Sequence, residues 1–245
     1  MIVMTTTNQS ARGDGRALDR ILLIGASRGL GLALADEWSR LGREVVATVR
    51  GTGRTPLHDL ADRDDRSIEI ETVDITEPEQ IAALHGRLSG RTFDLVFVNA
   101  GVTNSPEGTV AETTDEEFAR VMITNALSPL RVVETLADLV EPDGTIGVMS
   151  SGQGSVANNV TGGHEMYRGS KAALNTYMRS YAARHAGEQR SLVLMAPGWV
   201  RTDLGGSAAR LTIDESIPNV VKTLDSLSGS TELRYVDYLG RTVPW

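Results

Sequence analysis

The chain has 245 residues, of which 40% are apolar, and it carries a formal net charge of −8. This length and composition suit one large α/β domain, and the negative charge argues against nucleic acid as the main partner. The sequence contains no cysteine, which excludes disulfides, cysteine-based zinc sites and thiol catalysis and fits a cytoplasmic location.

The first residues are polar and rich in threonine. They lack the apolar core of a signal peptide, so we expect a mobile N-terminal extension over residues 1–17 and one folded domain over residues 18–245. No apolar run approaches the roughly 20 residues that span a bilayer, so no membrane partner is expected.

Short β-branched runs alternate with longer helical patterns along the chain. Strands are predicted at residues 21–24, 44–49, 67–73, 95–99, 145–150, 192–196 and 235–238. Helices are predicted at residues 30–41, 78–88, 115–140, 166–186 and 214–227. Continuously apolar strands are typical of a sheet covered on both faces. The pattern predicts a single-domain α/β fold with a Rossmann-type, doubly wound parallel sheet of about seven strands and helices on both faces.

A glycine-rich loop separates the first predicted strand from the first predicted helix. Its glycines allow a tight turn and a close approach of a dinucleotide pyrophosphate to the helix N-terminus. The same residues match the nucleophile elbow of α/β hydrolases, but the strands and oxyanion loop that should precede an elbow are missing here. We therefore predict a cofactor loop, formed by Gly25, Ser27, Arg28, Gly29, Leu30 and Gly31.

Basic residues near this loop indicate which nicotinamide cofactor binds. The second strand ends at Arg50 with no acidic residue to bind a ribose 2′-hydroxyl, and Arg28 adds another guanidinium. Arg suits a 2′-phosphate, so NADP(H) is preferred and NAD(H) remains possible. The alternative is that Arg50 is only a solvated residue at the end of the strand and does not bind the cofactor. Asp74 is interpreted either as an acceptor for the adenine amino group or as the anion at the next helix N-terminus.

The region from Ser151 to Lys171 carries the candidate chemistry. Tyr167 and Lys171 are four residues apart on one face of a predicted helix, so the ammonium can lower the phenol pKa and make it a proton donor near neutral pH. Ser151 ends the fifth strand and is favoured over its neighbour Ser150, which points to the other face. Asn125 lies in the middle of a predicted helix, where it is a poor helix former.

With these motifs in this order, the chain after residue 18 resembles the short-chain dehydrogenase/reductase family. The stretch from Ser151 to Tyr167 is three residues longer than the family's commonest spacing and resembles the sniffer and C-factor-like carbonyl reductase branch. Ile24 stands where the family usually has Thr, which removes a hydroxyl that ties the glycine loop. The resemblance implies a metal-free enzyme.

The resemblance also implies a role for each motif. Tyr167 is the general acid or base, Lys171 lowers its pKa and binds the nicotinamide ribose, and Ser151 hydrogen-bonds the substrate oxygen. Asn125 bends its helix and holds a water in a proton relay. The further cofactor-binding residues that the resemblance implies are Asp74, Ile75, Asn99, Ala100, Gly101, Tyr167, Lys171, Pro197, Gly198, Val200 and Thr202.

The function expected is NADP(H)-dependent hydride transfer between nicotinamide and a small-molecule carbonyl or alcohol. One alternative is a cofactor-binding sensor with incidental turnover. The other is an extended-family epimerase or dehydratase, but the chain after Pro197 leaves little room for the longer C-terminal substrate domain that such enzymes carry. We expect a mobile substrate lid at residues 203–216, with His164 or Met166 at the entrance and Trp199 as a pocket wall or a packing residue. A homodimer or homotetramer would use the helices at 115–140 and 166–186.

Overall fold

The computed structural model describes residues 18–104 and 108–245, so the expected N-terminal extension lies outside the described residues. Seven strands form one parallel sheet in the order β3-β2-β1-β4-β5-β6-β7. The strands are β1 (Arg20–Ile24), β2 (Glu44–Val49), β3 (Ile68–Thr72), β4 (Phe93–Val98), β5 (Val140–Met149), β6 (Ser191–Ala196) and β7 (Leu233–Asp237). The predicted Rossmann-type fold is therefore confirmed.

Helices cover both faces of this sheet. They are α1 (Gly29–Arg40), α2 (Pro56–Ala61), α3 (Pro78–Leu88), α4 (Asp115–Met122), α5 (Ser128–Leu136), α6 (Glu165–Arg184) and α7 (Ile213–Leu227). One apolar cluster lies beneath α3, α5 and α6, and the other beneath α1, α2 and α7. In β1, Leu22 enters the first cluster and Leu23 the second, because successive side chains of a strand point to opposite faces. Continuous apolar runs are thus what this sheet requires.

The structure contains a helix that the sequence patterns did not predict. Helix α2 begins at Pro56, a favoured first residue because its missing N–H needs no partner there. The backbone N–H of Thr55 donates to His58 Nδ1 at 3.1 Å, which closes the N-terminus of this short helix. β5 also starts earlier than predicted, because Val140 pairs with Phe93 before a register shift.

The single long helix predicted at residues 115–140 is wrong. Helix α4 ends at Met122, a π-helical turn occupies Ile123–Leu127, and α5 follows. Pro129 explains the break, because it has no N–H to donate to the carbonyl of Asn125 in an α-helical register. Instead the N–H of Ser128 donates to the carbonyl of Ile123, five residues back. Asn125 therefore sits in a distorted turn beside the sheet.

Candidate active site

The carboxyl ends of the central strands carry the predicted site residues. In an open parallel sheet, loops leaving this edge form the ligand crevice where the strand order reverses, here between β1 and β4. The glycine loop follows β1, Asn99 follows β4, and Ser151 follows β5. The fold thus brings these segments to one edge.

The glycine loop has the backbone geometry of a phosphate cradle. Gly25 has φ +89°, and the Asn99 side-chain amide donates to its carbonyl at 2.8 Å. A Cβ on Gly31 would lie 2.1 Å from that same carbonyl oxygen, so only glycine fits there. The first turn of α1 carries no acidic side chain, which leaves its positive N-terminus open to an anion. These residues fit a dinucleotide pyrophosphate.

Thr48 supplies the hydroxyl that Ile24 lacks. Its Oγ1 accepts from the N–H of Gly25 at 2.9 Å, and its carbonyl accepts from the N–H of Ala26 at 2.8 Å. Thr48 is buried in β2, beside the loop but 23 residues away in sequence. Sequence reasoning missed this residue, because only the pairing of β1 with β2 brings its hydroxyl to the loop.

Three arginines lie in the region expected to select the cofactor. Arg28 is exposed, and its Nη1 lies 2.6 Å from Asp203 Oδ2. Arg54 is paired with both Asp59 and Asp62. Arg50 is exposed at the end of β2 and makes no ion pair within the part of the chain that the structure describes. Arg50 is therefore the guanidinium left open for an anion.

Asp74 and Ile75 follow β3, and the structure places them differently. Asp74 Oδ1 accepts from the N–H and the hydroxyl of Thr76, at 2.9 and 2.8 Å, which orders the turn before α3. This carboxylate caps its own turn rather than the helix, which begins at Pro78. The Ile75 side chain is buried in the core, so only its backbone faces outward. Cofactor contacts by these two residues stay predictions.

The loop after β4 meets the candidate catalytic residues. A Cβ on Gly101 would lie 3.4 Å from Asn125 Oδ1 and 3.6 Å from Lys171 Nζ. Asn125 is fully buried, accepts from the N–H of Val102 at 2.8 Å and donates to Ser170 Oγ at 3.0 Å. Its side chain thus ties the β4 loop to α6, close to the lysine.

Tyr167, Lys171 and Ser151 converge at this point. The Ser151 hydroxyl lies close enough to the Tyr167 phenol to influence its pKa, and Lys171 Nζ lies 5.9 Å from the centroid of the tyrosine ring. Lys171 also donates to the carbonyl of Met149 at 2.9 Å. Ser150 instead turns inward and donates to Asn175 Oδ1 at 2.6 Å. The choice of Ser151 over Ser150 agrees with this geometry.

The expected lowering of the Tyr167 pKa by Lys171 is wrong for this structure. Burial raises the pKa of Tyr167 to about 12, and the neighbouring Ser151 side chain opposes that shift. Burial also lowers the pKa of Lys171 to about 8. Desolvation disfavours the charged form of both groups and is the largest cause of each shift. The phenol is therefore held protonated at neutral pH, as a proton donor must be.

The free energy of unfolding of Lys171→Met, relative to that of wild type, should be higher at pH 7 than at pH 10. Because folding lowers the lysine pKa, the unfolded chain binds more protons between pH 8 and 10.5, so wild-type stability rises with pH there. This difference should shrink by roughly 2–3 kcal/mol from pH 7 to pH 10. Urea unfolding at both pH values measures it, with the exposed Lys222→Met as control; a constant difference contradicts the assignment.

The segment after β6 is folded back on itself. Gly198 has φ +85° after Pro197, and the hydroxyl of Ser216 donates to the Pro197 carbonyl at 2.7 Å. Val200 is buried, and Thr202 Oγ1 accepts from the N–H of Gly205 at 3.0 Å. Contacts of this segment with nicotinamide stay predictions.

Residues 213–216 of the segment predicted as a lid are helical in the structure, and the lid itself stays a prediction. Helix α7 begins at Ile213, because the Thr212 hydroxyl accepts from the N–H of Glu215 and caps the helix. Trp199 is half exposed and donates from Nε1 to the Gly205 carbonyl at 2.7 Å, so it braces the lid rather than the core. Before Tyr167, Met166 is buried and His164 is partly exposed with φ +53°.

The part of the chain that the structure describes also bears on two other classes of site. No helix there is both long and apolar enough to cross a membrane. Across residues 18–104 and 108–245, no group of three or more His, Cys, Asp or Glu side chains is arranged to hold a metal ion.

Comparison with known proteins agrees with this geometry. Residues 25–222 match the family model described as enoyl-(acyl carrier protein) reductase. A short-chain dehydrogenase/reductase from Burkholderia multivorans with bound NADP is 61% identical, covers 92% of this chain and 98% of its own, and superposes with a TM-score of 0.90. A carbonyl reductase from Pseudomonas aeruginosa PAO1 in complex with NADP is 35% identical, with 94% and 100% coverage and a TM-score of 0.86.

A curated relative extends the comparison to a named activity. The 1-hydroxy-2-glutathionyl-2-methyl-3-butene dehydrogenase of Rhodococcus sp. (strain AD45) is 30% identical over 235 residues, 93% of this chain and all of that protein. The relatives thus include both dehydrogenases and a carbonyl reductase.

Proposed function

Because this chain belongs to the short-chain dehydrogenase/reductase family, we propose that it is an NADP(H)-dependent enzyme that reduces a small-molecule carbonyl. The observation that carries this proposal is the convergence of the Ser151 hydroxyl, the Tyr167 phenol and the Lys171 ammonium beside the glycine loop. A family of oxidoreductases leaves no role for Ser27 as a hydrolase nucleophile.

The side chains divide the work of carbonyl reduction. Bound NADPH supplies the hydride. The Ser151 hydroxyl orients the substrate oxygen, and the Tyr167 phenol donates its proton to that oxygen as negative charge develops there. Lys171 places a positive charge near the phenol and stabilises the phenolate left behind. A phenol with a pKa of about 12 is protonated at pH 7, so it carries the proton that carbonyl reduction requires.

The proposed preference for NADP(H) depends on Arg50. Arg50→Ala should raise the KM for NADPH about tenfold, because one charge-assisted contact with the 2′-phosphate is lost, and should leave the KM for NADH unchanged. Arg54→Ala is the matched control, because Asp59 and Asp62 already hold that guanidinium. If Arg50→Ala and Arg54→Ala had the same effect on the KM for NADPH and on the KM for NADH, Arg50 would be only a solvated surface residue.

The direct test of the function is loss of NADPH absorbance with a panel of aldehydes, ketones and quinones. We expect consumption of at least one class, faster with NADPH than with NADH. Tight NADPH binding with no carbonyl consumed would favour the cofactor-sensing alternative and reject the proposed reductase.

We also propose that the chain assembles as a homodimer or homotetramer. Its support is the exposure of Phe118, Leu127 and Tyr177 on the segment from α4 to α6, each at least 40% exposed. Exposed aromatic and aliphatic side chains on these helical segments fit a contact between copies of the chain.

A further inference from the structure

Tyr235 reaches the candidate active site from the edge strand β7. Its ring is buried, and its hydroxyl donates to the carbonyl of Ser151 at 2.5 Å. The N–H of Gly154 donates to the same carbonyl at 2.9 Å. Two donors therefore hold the peptide that carries the Ser151 side chain.

A buried polar network surrounds this contact. Ser150 Oγ donates to Asn175 Oδ1 at 2.6 Å, and Asn175 Nδ2 donates to the Gly154 carbonyl at 3.2 Å. The Tyr235 hydroxyl also lies near the side chains of Ser150 and Asn175. Asn175 lies one turn after Lys171 on the same face of α6. The network thus joins the end of β5, helix α6 and β7 around one loop.

The segment after β7 fixes the ring of Tyr235. The N–H of Val243 donates to the Tyr235 carbonyl at 2.8 Å, and the Trp245 ring lies 5.3 Å from the tyrosine ring. The guanidinium of Arg179 covers the Trp245 ring at 4.8 Å. The Trp245 carbonyl accepts from the N–H of Ala157 at 2.9 Å. This segment therefore braces both the phenol and the loop after Ser151.

We propose that Tyr235 is a positioning residue for carbonyl reduction, holding the Ser151 peptide so that the Ser151 hydroxyl meets the Tyr167 phenol. The inference rests on the proposed function. The Ser151 hydroxyl accepts from the N–H of Gln153 at 3.1 Å and lies next to the Tyr167 phenol. A rotation of this peptide would move the hydroxyl away from both partners. Such small displacements of a substrate-orienting group lower kcat more than they change cofactor binding.

Tyr235→Phe tests the proposal, because it removes the hydroxyl and keeps the ring against Trp245. We expect kcat to fall about tenfold while the KM for NADPH stays within about twofold. Tyr181→Phe is the matched control, since it removes another buried phenol hydroxyl that does not bond the Ser151 peptide. An unchanged kcat in Tyr235→Phe overturns the proposal.

A double-mutant cycle separates positioning from a general structural loss. In a Ser151→Ala background, Tyr235→Phe should lower the residual kcat by less than about twofold, because the group it positions is gone. The same fold loss in both backgrounds would show that Tyr235 does not act through Ser151.

Amide hydrogen exchange gives a readout that needs no turnover. The N–H groups of Gln153 and Gly154 bond the Ser151 hydroxyl and carbonyl, so both should exchange faster in Tyr235→Phe and not in Tyr181→Phe. Unchanged exchange at both amides overturns the positioning role. Absence of NADPH-dependent turnover in the wild type would reject the proposed function alone, since the exchange result still decides what Tyr235 does.

Discussion

Tyr167→Phe is expected to fold, bind NADPH and lose about 10³-fold in kcat for carbonyl reduction. The phenol is the only proton donor that the proposed mechanism places at the substrate oxygen, and general acid catalysis contributes about 10²- to 10⁴-fold. The ring stays in place without the hydroxyl, so the contact with the Lys171 side chain persists and the fold is preserved. Steady-state kinetics and an NADPH binding titration measure the two expectations separately.

Tyr177→Phe provides the matched control for this experiment. Tyr177 lies on the same helix α6 but is exposed, and the substitution keeps the ring that the proposed subunit contact uses, so removing its hydroxyl should change neither kcat nor NADPH binding. Retained turnover in Tyr167→Phe would remove the tyrosine from the mechanism. Loss of both turnover and NADPH binding would show that the variant disturbs the cofactor site rather than proton transfer.

Gly31→Ala should abolish measurable NADPH binding and lower the free energy of unfolding by about 3 kcal/mol. The added Cβ would lie 2.1 Å from the Gly25 carbonyl oxygen and 2.6 Å from Asn99 Nδ2. Neither atom can retreat cheaply, because the two are hydrogen-bonded to each other and the Gly25 N–H is held by Thr48. The loop must shift, and the cradle for the pyrophosphate shifts with it.

Gly86→Ala is the control, and its expected effect on the free energy of unfolding has the opposite sign. Gly86 lies inside α3, and a Cβ there meets nothing within 4 Å. Alanine should stabilise the helix by roughly 0.5–1 kcal/mol and leave NADPH binding unchanged. Urea unfolding and fluorescence titration with NADPH compare both variants with wild type. A Gly31→Ala protein with wild-type affinity would contradict the role of this close approach in shaping the cofactor loop.

Local patterns made much of the fold predictable. The bounds of β2 and α3 match those predicted, since apolar strand runs and a proline at the start of a helix are signals within the elements themselves. The break at Asn125 also had a local signal in Pro129, four residues later, which the prediction of one long helix ignored. Helix α2 is too short for a clear apolar period, so its capping residues were the only sign of it.

By itself, the sequence determined the order of strands and helices, the glycine loop, and the pairing of Tyr167 with Lys171, because spacing along one helix or one turn decides each of them. Only the tertiary structure decided that Thr48 ties the loop and that the Tyr235 hydroxyl, 84 residues from Ser151, bonds the Ser151 carbonyl. It also decided the sign of the Tyr167 pKa shift, because that sign depends on burial. Burial and contacts between distant strands are properties of the packed sheet, which no local spacing contains.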